Sequence, residues 1–201
     1  MKKRILSFML VLAMGVTLPA NALASAPAKS SKAFRFDDDL IIIGSKSLTA
    51  KKSNSGTAYW DLSPKEFMDG FHSIYGSEFK LGAFKKSKDK NIYTCTIGKS
   101  VVQLHSTSDT YSKGKLTKVV LQLNHTTRSS DFETFGMVLA GVTTIFSQYD
   151  EKAIMEILES LGFNDPNNDG TAKTYTYKSA KYQMNYDNKK IVLSITPAAK
   201  S

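Results

Sequence analysis

The sequence predicts an α+β fold: an antiparallel sheet built from two three-stranded meanders, with about three helices packed on one face. Three observations predict it. Six short segments alternate apolar and polar residues with the two-residue period of half-buried strands. Three others carry apolar residues at helical spacing behind recognisable cap signals. Their order, helix before meander in both halves, favours helices gathered on one face of an antiparallel sheet over alternating parallel units.

Met1 to Ala24 reads as a secretory signal peptide, with Lys2, Lys3 and Arg4 as the charged region and Ile5 to Leu18 as the apolar region. Ala22-Leu23-Ala24 supplies the small-residue pattern for cleavage before Ser25. The apolar run is shorter than the roughly 20 residues needed to span a bilayer. Residues 25–33 read as a flexible leader, and residues 34–201 as a single α+β domain. Within it, Leu40 to Ile43 is a candidate buried strand, and residues 49–58 a polar connector.

Ser63-Pro64-Lys65-Glu66 is a capping box, in which the Ser63 hydroxyl and the Glu66 carboxylate each satisfy a backbone amide at the helix start. Leu62 and Phe67 stand at hydrophobic-staple spacing, and Phe67, Phe71, Ile74 and Tyr75 mark one helical face up to Gly76. Strands follow at Asn91–Ile97, Ser100–Ser106 and Leu116–Leu123, with a tight turn at Gly98-Lys99. Ser130-Asp131-Phe132-Glu133 has the pattern of a second capping box before the apolar helix from Phe135 to Phe146. A third helix starts near Asp150, buries Ile154, Ile157, Leu158 and Leu161, and stops at a left-handed cap on Gly162-Phe163. Strands at Ala172–Lys178, Lys181–Tyr186 and Lys190–Thr196 close the chain, with Asp187-Asn188 as a hairpin turn. Residues 63–123 and 150–196 thus repeat one architecture.

This order, over residues 60–196, resembles small secreted helix-plus-meander proteins like β-lactamase inhibitory protein. The resemblance is architectural and contains no shared motif. It implies an interaction role and assigns a function to no residue.

Loss of the signal would lower the formal charge from +9 to +6, leaving Arg35 and Arg128 as the only arginines. Specific nucleic-acid recognition, which favours the planar arginine fork, is disfavoured. Cys95 is the only cysteine, so no internal disulfide is possible. Its place in an alternating strand makes it a core thiol. No second apolar run of spanning length provides a transmembrane anchor. The product is expected in the periplasm or outside the cell.

Candidate sites are few. Asp165, Asn167 and Asp169 before Gly170 match the start of a calcium loop, but Thr176 stands where a bidentate Glu belongs, so the segment reads first as a turn-rich link. His105 and His125 are expected about eight positions apart along a hairpin centred near residue 111, or about 26 Å, too far for one metal. His72 is expected at the surface. The 79–90 segment interleaves Lys80, Lys85, Lys86, Lys88 and Lys90 with Phe79 and Phe84, which suits polyanions of the cell envelope as well as a solvated connector. Trp60 is read as packing over the first helix, with a partner contact as the alternative. Tyr182 and Tyr186 read as a cross-strand core ladder.

No nucleophile elbow or zinc-helix motif occurs, and no cofactor is expected. The expectation is therefore an exported, non-enzymatic binding or inhibitor-like protein whose partner is an envelope polyanion or a protein. The alternative is an exported hydrolase acting on wall or glycan material through an unidentified carboxylate pair.

Overall fold

A computed structural model describes residues 48–75, 79–88, 91–148, 150–163, 171–187 and 190–198. The signal segment, the leader, the Leu40–Ile43 strand, Gly76, Lys90, the 165–170 loop and Asn188 lie outside the described residues. The elements are β1 (Ala50–Lys52), β2 (Ala58–Trp60), α1 (Pro64–Tyr75), β3 (Lys85–Lys86), β4 (Ile92–Ile97), β5 (Ser100–Ser106), β6 (Leu116–Asn124), α2 (Ser129–Ser147), α3 (Glu151–Ser160), β7 (Lys173–Tyr177), β8 (Ala180–Asp187) and β9 (Lys190–Pro197). The fold is α+β, and the six predicted strands of the two meanders are all present.

The main sheet has seven antiparallel strands in the order β3-β4-β5-β6-β9-β8-β7. The two meanders meet through their last strands, β6 and β9, so Leu121 faces Leu193 and Val119 faces Ile195. One face of the sheet, including Val102, Leu104, Leu121, Tyr182 and Leu193, joins the apolar sides of the three helices in a single core. The predicted Tyr182–Tyr186 ladder belongs to this face: Tyr182 is fully buried, and the Tyr186 hydroxyl donates to the Leu161 carbonyl at 3.0 Å.

The capping box at the start of α1 is formed on both sides. The Glu66 amide donates to Ser63 Oγ at 3.1 Å, and the Ser63 amide to Glu66 Oε2 at 2.7 Å. α1 packs across α2 at Gly141, where an added Cβ would stand 2.6 Å from the Phe71 ring and 2.7 Å from that of Tyr75. The Tyr75 hydroxyl donates to the Met137 carbonyl across the same crossing. α3 starts on Asp150, which accepts from the Ala153 amide, and ends at Gly162 (φ +71°). There the amides of Gly162 and Phe163 return to Glu159 and Leu158, the paired bonds of a left-handed cap.

Five expectations are corrected. Lys85–Lys86 of the 79–90 connector form β3, which adds a seventh strand beside β4 to the six of the two meanders. Residues 49–58 are not simply a connector: β1 and β2 form a two-stranded hairpin, each strand too short for alternation to reveal. The second capping box does not form. α2 begins at Ser129 with no side-chain cap, and the Asp131 carboxylate instead accepts from Thr126 Oγ1 at 2.6 Å. A bulge after His105 pairs Ser106 with Leu116, placing His105 opposite Lys118 rather than residue 117. Asp187 pairs with Lys190 and so belongs to β8 rather than to the hairpin turn.

Candidate functional site

Strand pleating sends alternate side chains to opposite faces, so the alternation that fills the core also builds a second surface. Opposite the helices, one cross-strand row runs through Thr94, Gln103, Val120, Ser194, Gln183 and Thr174. The next contains Thr96, Val101, Gln122, Val192 and Asn185. No described helix or strand lies over these rows; the helices share the other face with the core. Val120 is nonetheless only 9% exposed, because it sits centrally between Gln103 and Ser194 on the adjoining strands. The open face therefore has valines among amides and hydroxyls, a mixture suited to contact and hydrogen bonding.

Its charged positions are mostly basic. Register places Lys85, Lys118, Lys181 and Lys190 on this face, with Asp187 as the one acidic position on its described strands. Asp187 and Lys190 pair at the turn end of the β8–β9 ladder, while Lys181 stands at its other end. Carboxylates are prominent on the helical side instead: Tyr175 donates to Glu156, and Tyr177 to Asp150 at 2.8 Å, stitching β7 to α3 and its cap. His105 also belongs to the open face, between Ile92 and Lys118. Its Nε2 is buried without a hydrogen-bond partner, and burial, reinforced by the Lys118 charge, lowers its pKa.

The sequence-predicted lysines divide between two settings. Lys80, Lys85, Lys86 and Lys88 are exposed, but Phe79 contacts Phe71 and Tyr75, while Phe84 and Tyr93 flank Tyr111. The connector is thus fastened to the covered side of the sheet. Lys86 pairs with Asp109 at 3.2 Å, and Lys85 turns to the open face. Tyr111 meets the connector, whereas His105 points to the opposite face, so these three features do not converge on one site. Burial pushes Tyr111 up to about 12.

Trp60 is unavailable as a surface contact. It is fully buried, its ring lies 4.6 Å from that of Phe146, and its indole N–H donates to the Ser179 carbonyl at 3.0 Å. His72 is half-buried rather than exposed, with Nε2 3.3 Å from the Leu81 carbonyl oxygen. Cys95 is buried beside Gly82, and burial raises its pKa, so its thiol belongs to the core. The calcium-loop candidates Asp165, Asn167 and Asp169 lie outside the described residues. Among the described residues, no group of three His, Cys, Asp or Glu side chains is placed to hold a metal ion.

Lys118, Lys181, Gln103 and Gln122 of this face carry no motif of their own in the sequence. The signal was the outward half of the same alternation. Only the β6–β9 pairing brings the two halves into one surface. No described helix is long and apolar enough to cross a membrane. No protein-family model, curated protein or solved structure significantly matches the chain.

Proposed function

We propose that this chain is an exported binding or inhibitor-like protein that holds its partner on the open face of the seven-stranded sheet. The observation that carries this reading is the pairing of Gln103 with Val120 and of Val120 with Ser194, an apolar centre within hydrogen-bonding side chains on a face over which no described element lies. Protein recognition surfaces commonly combine such a centre with a polar rim. Export rests on residues 1–24, and N-terminal sequencing of the product recovered outside the cytoplasm should begin at Ser25. Nothing in the placement of the described carboxylates favours the hydrolase alternative.

A photo-crosslinking side chain at Gln122 on the open face, compared with one at the exposed Lys152 of α3, tests the binding surface in cells. A discrete adduct from position 122 and none from position 152 is expected. Adducts from 152 alone would overturn the proposed surface.

A further inference from the structure

We propose that the partner held by this open face is an acidic protein surface, an inference that rests on the binding role above. Lys85, Lys118, Lys181 and Lys190 stand on four different strands at positions of one face, against a single acidic position, Asp187, at the end of β8. Charge complementarity therefore favours an anionic partner and disfavors a second copy presenting the same lysines. The tyrosines of the seven-stranded sheet, Tyr93, Tyr175, Tyr177, Tyr182 and Tyr186, all belong to the helix-covered face, so sugar stacking does not explain the open one. Arg128, the only arginine among the described residues, sits at the N-cap of α2 rather than on this face, which gives a phosphate polymer no bidentate fork.

The valines favour a polypeptide, whose backbone and side-chain carbons can cover them, over a phosphate polymer. Val101, Val120 and Val192 occupy neighbouring positions on β5, β6 and β9, and covering them requires apolar groups alongside the acids. Six strand spacings make the face about 29 Å wide. That width suits a folded partner contributing several acidic residues better than one small anion.

The test uses the full mature chain and two probes, poly-L-glutamate and polyphosphate, at several salt concentrations, with binding located by backbone amide shifts. Poly-L-glutamate should bind in a salt-dependent manner and shift the amides of Gln103, Gln122 and Ser194. The Lys118→Glu/Lys181→Glu double variant should weaken it by about tenfold, while Lys152→Glu on α3 leaves it unchanged. If the double variant unfolds, Lys118→Gln/Lys181→Gln should still weaken binding by a smaller factor. Polyphosphate binding as tightly at the same residues would overturn the protein partner in favour of a phosphate polymer. Failure of poly-L-glutamate to bind, or shifts confined to α3, would overturn the acidic partner. A crosslink from Gln122 despite that failure would leave the proposed binding surface standing.

Discussion

Val120 and Leu121 are neighbours on β6 with opposite surroundings. Leu121 faces Val102 and Leu193 beneath the helices, while Val120 faces Gln103 and Ser194 on the side no described element covers. The same contrast extends across the sheet: mainly aromatic and aliphatic residues on one face, amides, hydroxyls, lysines, His105 and scattered aliphatics on the other. One alternating sequence thus separates cohesion from recognition, because the pleat assigns odd and even positions to different solvents. Residues on the covered face are constrained by close packing, whereas those opposite are free to carry charge.

The sharpest way to break this contrast is one substitution on each face. Leu121→Ala should destabilise the protein by about 2–5 kcal/mol. Val120→Thr should cost less than about 1 kcal/mol in the same urea titration. Equal losses would mean that the open face is covered in the native protein.

Tyr182→Phe probes the covered face from the other direction. The Tyr182 hydroxyl is buried without a partner, and its pKa is raised chiefly by desolvation. Removing the hydroxyl should stabilise the fold by about 1 kcal/mol or more, measured as an upward shift in urea midpoint. Destabilisation would show that the hydroxyl is satisfied.

The two capping patterns provide a smaller test. Ser63→Ala should cost about 1 kcal/mol, because both bonds of its box are present. Ser130→Ala should stay within about 0.5 kcal/mol, since Ser130 lies inside α2 and α2 has no side-chain cap. Thermal unfolding of both variants distinguishes a formed box from one present only as a pattern.

The smallest effect belongs to Asp61, which bridges Lys51 of the hairpin and Lys115 before β6. Hydrogen bonds from Lys115 and then Lys51 lower its pKa to about 2. Because the folded pKa lies below the ordinary value of about 3.9, its contribution is present above that value and disappears as pH falls towards 2. The site is half-exposed, so Asp61→Asn should cost at most about 1 kcal/mol at neutral pH. Unfolding curves for the variant and the parent should converge near pH 2.

Much of the fold was legible because its signals are local. The Ser63–Glu66 box lies within four residues, the Gly162 stop within one turn, and Val102 with Leu104 shows strand alternation directly. The hairpin of β1 and β2 escaped because three-residue strands carry too little periodicity. The second box failed because Thr126, outside the four-residue pattern, engages Asp131. As for the candidate site, the lysines were visible in the 79–90 connector, but not the division that aromatic packing and the Asp109 ion pair impose on them.

By itself the sequence determined where the three helices and the six meander strands form and which of their positions are apolar, since caps and side-chain periodicity act over a few residues. Tertiary structure alone decided that β6 pairs with β9, that Trp60 is enclosed, and that Lys118 shares a face with Lys181. Those outcomes depend on pairing and packing between residues far apart in the chain. An alternating strand specifies two faces, and its neighbours decide which residues complete each one.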